Sequence, residues 1–500
     1  GLSNVLREPL LDTNNVAPER QESSLSQCQL EEVPPVYTDK AHKHSVGWGA
    51  VTTALLSLQL GWGLWLFPSD YARIGWYATG VLVALALLTA YSGTLFTRLY
   101  LVTPGAVLFS DVGKKAAGKT GAMIVSVIIY SLDATRCVIL HLAATQSLRH
   151  AFPEETRPPL WLCGFAVLVL GCILVQVRSM AEMSWVFMTG TGSQLVAVAI
   201  VVYELVTNPD PNARTTNWAV QGAATYVPAA VALMNMIFAF GGQFAFTEIM
   251  GSMRTPAHFP RAVSVCTVIM GALYGGLGVI GYWSRGDEVR EIVIFSLPES
   301  PRARLAAGCI LVQAIAQYLI NVNVWTHNLL VLLARQGIIR KRTLNNCVGH
   351  APHDHEHAHD AESAHDHAHD AHDGVPTKST DHCKWWWAGT SCFVVIYSYG
   401  ISISLPFFST LVGLVTACTY LVCAYLLPAW FTLKLLGSSI HWSEKGLLYS
   451  LIPLSVIVSG IGLWASIVSL INNMGSGEGW GVNQAAQPLL ALARASGMAV

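Results

Sequence analysis

Charge is scarce in this chain. Asp, Glu, Lys and Arg make up only 12% of its 500 residues, about half the share usual in soluble globular proteins. The net charge of −1 leaves no basic excess to hold a nucleic acid. Of the 11 cysteines only Cys28, Cys347 and Cys383 lie in polar segments, so no disulfide framework is implied. No Asn-x-Ser/Thr sequon occurs in the loops assigned below to the outside, and no N-glycan is expected there. A nucleotide-cradling glycine loop, a nucleophile elbow and a metalloprotease helix are all missing, which argues against an enzyme. No cleavable signal is visible, and residues 1–44, polar and without apolar periodicity, read as a disordered tail.

Apolar residues are abundant instead. They form 53% of the chain, mean hydropathy is +0.46, and apolar runs of roughly twenty residues recur, the length that crosses a bilayer as a helix. The fold class is therefore all-α membrane protein, with about eleven transmembrane helices in one domain, residues 45–471. The spans are expected near 46–72, 76–98, 120–148, 160–177, 183–206, 227–250, 262–283, 303–334, 385–404, 408–436 and 446–471. Most of the 29 Lys and Arg, among them Arg7, Lys40, Lys114, Lys115, Lys119, Arg178, Arg254, Arg335 and Lys341, then fall on the side of the N-terminus. That bias predicts a cytosolic N-terminus, a cytosolic loop over 345–384 and a non-cytosolic tail over 472–500.

Two spans are interrupted. "LSLQLGWGLWLFPSDYARIGW" places Gly61 and Gly63 at mid-membrane ahead of Pro68, and "LMNMIFAFGGQFAFTEIM" carries Gly241, Gly242 and Gln243 in an otherwise apolar helix. Backbone groups freed at that depth need partners, so unwinding is tolerated where it lines a cavity or meets a ligand. The competing reading is that the glycines allow close helix packing, as in "GALYG" from Gly271 to Gly275. Position favours function. The breaks fall in the first and sixth spans, where two five-helix halves of opposite topology place equivalent segments. Half-helix N-termini suit a carboxylate and free carbonyls suit an ammonium or a cation, so the breaks predict a site for a small charged molecule at Gly61, Trp62, Gly63, Leu64, Phe240, Gly241, Gly242 and Gln243.

At these residues the sequence resembles the amino acid/auxin permease family. "FAFGGQFAFTEIMGSMRTPAHFPRAV" (Phe238 to Val263) resembles the family's sixth-helix segment and "GWGLWLFPSDYARIGW" its first-helix signature, with further likeness in "GYWSRGD" and "YLLPAWFTL". The resemblance implies a leucine-transporter-type, 5+5 inverted-repeat fold with helices 1 and 6 broken. It also implies secondary active transport of amino acids or related organic acids, often driven by protons, so that proton-coupled symport of amino acids, in the plasma membrane or a vacuolar or other endomembrane, is the expectation. Glu248 is similar to plant-type members and especially to auxin influx carriers, so import of auxin or a related organic acid is the alternative. Trp62, Asp70 and Arg73 depart from the family pattern, which bears on the shape of the pocket.

Ionisable residues inside the spans are functional hypotheses by default, because burying them is costly. Glu248, about two turns beyond the second break, and Asp133 are the candidates for proton coupling. Asp133 and Arg136 stand three apart on one helical face, and a self-neutralising ion pair is the preferred account of them. His141 and His327 rank below Glu248 as structural histidines. The eighth span offers amides and no Ser or Thr before Thr326, which favours H+ over Na+ as the coupling ion and leaves Na+ open. The loop "HAPHDHEHAHDAESAHDHAHDAHDG" brings together His353, His355, His357, His359, His365, His367 and His369, a composition that binds zinc, either in a regulatory role or incidentally to a titratable linker. A divalent-metal transporter is therefore the rival class, although no span carries a His with a carboxylate at i+4. The expected partners are an amino acid and the bilayer, with no resident cofactor and no nucleic acid.

Overall fold

A computed structural model describes residues 46–176, 180–213, 226–339 and 378–475. The histidine-rich tract and both tails lie outside the described residues. Among the described residues the secondary structure is helical, apart from one isolated parallel bridge between Val46 and Met253. In chain order the helices are α1 (Trp48–Gln59), α2 (Phe67–Ile74), α3 (Ala78–Leu101), α4 (Phe109–His150), α5 (Leu160–Leu174), α6 (Met180–Thr207), α7 (Tyr226–Ala239), α8 (Phe246–Ser252), α9 (Phe259–Arg285), α10 (Pro301–Arg335), α11 (Lys378–Ser404), α12 (Phe408–Val415), α13 (Leu427–Leu436) and α14 (Trp442–Gly475). Eight helical stretches here are long and apolar enough to cross a bilayer. The α1–α2 pair, bent by 54° at its break, makes a ninth. The protein is thus an integral multi-pass membrane protein.

Local chemistry sets the ends. Pro68 stands in the first turn of α2, where its missing N–H is no loss, and Gly75 closes that helix at φ 81°, a conformation suited to glycine. Ser300 caps α10 by accepting from the Ala303 amide at 3.0 Å ahead of Pro301. The α4 stretch is kinked at Ala117 and Gly118, the latter at φ 65°. Its straight part therefore begins close to residue 120, where the apolar run begins.

The two interrupted spans lie side by side and antiparallel. Val46, just before α1, accepts from the Arg254 amide at 3.1 Å beyond the end of α8. At the other end Asp70 of α2 meets Asn235 of α7. The α9 helix backs this pair. A Cβ at Gly278 would stand 2.6 Å from the Tyr71 ring and one at Gly281 2.6 Å from Pro68 Cβ, so α2 rests directly on α9 backbone. The "GALYG" expectation holds for Gly275, whose Cβ would meet Leu82, and fails for Gly271, which faces open space. The main apolar core surrounds both breaks, and a smaller cluster joins α4, α10 and α11 through Cys137, Tyr318, Val322 and Val394. Leu87, Val268, Ile457 and Trp464 leave large apolar groups exposed on the periphery, as a lipid-facing surface requires.

Candidate functional site

The unwinding begins at Leu60 and Gly61 in one span and at Phe240 to Gly242 in the other, and each resumes through a short tight turn, Trp62–Leu66 and Gln243–Ala245. Buried carbonyls released this way must find donors. Most find side chains. The Tyr274 hydroxyl of α9 lies 3.1 Å from the carbonyl of Gln59 and 3.1 Å from that of Ala239, donating between the last carbonyls of α1 and α7. Gln313 Nε2 donates to Leu60 O at 3.1 Å and Gln194 Nε2 to Gly61 O at 3.3 Å. Gln243 closes on its own turn, donating to Phe240 O at 3.1 Å and accepting from the Gly242 amide at 2.9 Å.

The amides are treated differently. Gly61, Trp62 and Gly63 N–H groups have no hydrogen-bond acceptor among the described residues. The three residues line a cavity of about 30 Å³, room for little more than a water molecule. Its walls also include Gln59, Arg136, Phe238, Gly241, Gln317 and Tyr420. Tyr420 ends the first of two wide-turn segments, Thr416–Tyr420 and Val422–Leu426, that join α12 to α13. Such i→i+5 turns occur frequently at functional sites. The ring packs directly against the Gly241 backbone, and the Gln317 amide lies against Gly61. Together they close the cavity down.

The eight residues expected at the breaks therefore separate. Gly61, Trp62, Gly63 and Gly241 line the cavity. Leu64 is buried in the core, Phe240 packs on Tyr274 with ring centroids 5.5 Å apart, Gly242 lies against Gln59, and Gln243 is spent on its own backbone. Trp62 is 2% exposed with its ring 5.0 Å from Phe408, so it fills space between the first and tenth spans. Close packing accounts for part of the glycine content as well, since a Cβ at Gly63 would stand 2.8 Å from Ala239 Cβ.

The Asp133–Arg136 ion pair is not formed. Asp133 Oδ2 accepts from Asn328 Nδ2 at 2.9 Å, and no carboxylate oxygen among the described residues lies within 4.0 Å of Arg136. Arg136 instead lines the cavity, with its guanidinium carbon 4.7 Å from the centre of the Phe244 ring. The reason is competition: a buried carboxylate satisfied by a neighbouring amide has less need of a guanidinium one turn away. Glu248 is exposed on α8, away from the cavity walls yet near enough to Asp133 to feel its charge. His141 is fully buried, with Nδ1 3.0 Å from Ser402 Oγ.

A second polar cluster joins α2, α7, α12 and the loop after α9. Asn235 Nδ2 donates to Asp70 Oδ1 at 3.0 Å and to Ser409 Oγ at 2.7 Å, and Arg73 donates to the same Ser409 Oγ at 3.1 Å. The Ser409 amide donates to the Glu291 carboxylate, and Ser69 Oγ donates to Glu291 O at 2.9 Å. Asp70 Oδ2 and Asn235 Oδ1 are buried with no partner. The unusual Asp70 and Arg73 flag this cluster in the sequence; Glu291, far along the chain, carries no such mark. Among the described residues no group of three or more His, Cys, Asp or Glu stands ready to hold a metal.

An integral membrane protein in which two antiparallel broken helices enclose a polar cavity at the centre of the core belongs to a recognisable class, the helical carriers of small solutes. The family model for transmembrane amino acid transporter proteins matches residues 44–471, and the chain belongs to that family. Among curated relatives, amino acid transporter AVT1D of Arabidopsis thaliana is 23% identical over 48% of this chain and 44% of its own length. Amino acid transporter AVT1I of the same plant is 22% identical over 83% of this chain and 93% of its own length. The vesicular inhibitory amino acid transporter of Xenopus tropicalis is 20% identical over 71% and 61%. The chain spans about half the length of the first relatives it matches, AVT1D at 44% and AVT1E at 51%.

Proposed function

We propose that the protein is a secondary active transporter that carries amino acids across a membrane by proton-coupled symport, alternating access to a site at the two breaks. The observation that carries this reading is the pairing of the breaks: two antiparallel spans unwind side by side, satisfy their carbonyls with Tyr274, Gln313, Gln194 and Gln243, and leave the amides of Gly61, Trp62 and Gly63, three residues that line a cavity, without an acceptor among the described residues. Unpaired amides at a half-helix start bind a carboxylate. The names of the relatives support amino acids as the cargo. In this reading α5, a shorter apolar helix, and α11 join the nine apolar spans to make eleven crossings. If the N-terminus is cytosolic and the fold a 5+5 inverted repeat, as this reading holds, the Asp70–Glu291 cluster lies at the outer end of the site.

Glu248 serves in this scheme as the proton carrier, reached by water on α8 and adjoined by Asp133. The histidine tract acts outside the transport path, as a zinc-binding cytosolic loop. The test is uptake of a labelled amino-acid panel, with an auxin included, into vesicles at two pH values. Saturable amino-acid uptake that rises with an inward proton gradient supports the reading. Uptake of the auxin alone would replace the substrate class, and zinc flux without organic uptake would replace the function.

A further inference from the structure

The proposed site is built for negative charge more than for positive. Arg136 is 8% exposed and lines the cavity. Among the described residues it has neither an ion-pair nor a hydrogen-bond partner. Asp133, on the same helix, is held by Asn328, and its charge reaches the guanidinium only through space. The Phe244 ring orients the guanidinium without neutralising it. A buried guanidinium in a bilayer core is costly until an anion meets it, and a planar carboxylate is its best-matched partner.

The other polar walls point the same way. The Gly61 to Gly63 amides are donors. The carbonyls that might have received an ammonium already accept from Tyr274, Gln313, Gln194 and Gln243. Among the described residues no Asp or Glu lines the cavity, and its side-chain acceptors, Gln59, Gln317 and Tyr420, are neutral. An ammonium therefore meets single neutral acceptors, while a carboxylate meets a full charge and a row of amides.

We propose that Arg136 is the carboxylate anchor of the substrate site, and that the site demands a carboxylate while tolerating an amino group that is displaced from the α-carbon or absent. The substrate class is small monocarboxylates, α-amino acids among them. Pairing with the ligand also cancels the charge of Arg136, so the loaded site crosses between its two accesses near neutrality.

This inference rests on the proposed function, and its test separates the two. Full-length protein in detergent is titrated with alanine, 3-aminopropanoate, propanoate and alaninamide, and binding is read as thermal stabilisation. The three carboxylates should bind within about tenfold of one another and alaninamide at least about a hundredfold more weakly, the loss of a charge-assisted contact in a dry site. Arg136→Gln should weaken alanine binding by a similar factor and erase the preference over alaninamide, and Arg136→Lys should restore part of it. The wild-type series decides even where Arg136→Gln does not fold. Alaninamide binding as well as alanine, propanoate binding a hundredfold more weakly than alanine, Arg136→Gln binding alanine normally, or stabilisation by none of the four would each overturn the proposal. The function itself fails separately, by absence of amino-acid uptake across the labelled panel.

Discussion

Gly61 and Gly63 look interchangeable in "GWG", yet their surroundings differ. A Cβ on Gly61 would meet the end of the Gln317 side chain at 2.7 Å, a group free to swing aside, whereas one on Gly63 would meet the Ala239 Cα at 2.9 Å, which is backbone. Gly63→Ala should therefore destabilise the protein by about 1–3 kcal/mol, the usual cost of overpacking, and abolish uptake. Gly61→Ala should leave the melting temperature close to wild type and raise KM. Thermal unfolding in detergent beside vesicle uptake measures both, and equal loss of stability in the two variants would contradict the geometry. The glycines themselves are legible in the sequence, because they fall in two apolar runs at equivalent places, the first and sixth spans. The direction of Arg136 is not. Spacing says that Asp133 and Arg136 can meet, while Asn328, the residue that takes Asp133 away, lies on another helix and leaves no trace in that spacing.

At the scale of elements, hydropathy located the helices because a bilayer admits little else, and each apolar run carries a helix in the structure. Two features escaped it. The wide turns between α12 and α13 occur without Gly or Pro inside them, so pattern alone cannot announce them. The linkage of both breaks through Tyr274 depends on a third helix. Tyr274→Phe keeps the packing and removes the hydroxyl donating to Gln59 O and Ala239 O. It should cost about 1–3 kcal/mol and raise hydrogen exchange on both sides of both breaks. Exchange confined to one break would show that the two are not coupled through it.

The loop after α9 gives a pH dependence. Burial raises the pKa of Glu291 above the ordinary carboxylate range, opposed by the Arg73 guanidinium and by the Ser409 amide. Arg73 and Asp70 are the charged groups that face it. A raised pKa in the packed state means that packing favours the protonated acid. The stabilisation is fully present below the unfolded carboxylate range and is lost as pH rises through the elevated value. Backbone exchange over residues 289–297, corrected for intrinsic rates, should be slower at pH 5 than at pH 8, and Glu291→Gln should remove the difference. Protection independent of pH in the wild type would contradict this account.

For the whole molecule the central claim is that transport is active and driven by protons. A channel through the same cavity would only equilibrate its solute, whereas a carrier that exposes the site to one side at a time can accumulate it. Glu248 is where that claim meets a residue, since Glu248→Gln keeps size and hydrogen bonding but cannot carry a proton. The deciding measurement is the steady-state ratio of labelled amino acid inside and outside proteoliposomes of the purified protein, with an acid-outside gradient and no sodium. The account predicts accumulation well above one that collapses with a protonophore, while Glu248→Gln exchanges substrate at a ratio of about one, the value without coupling. A ratio of one in the wild type, or accumulation that requires sodium, would contradict it.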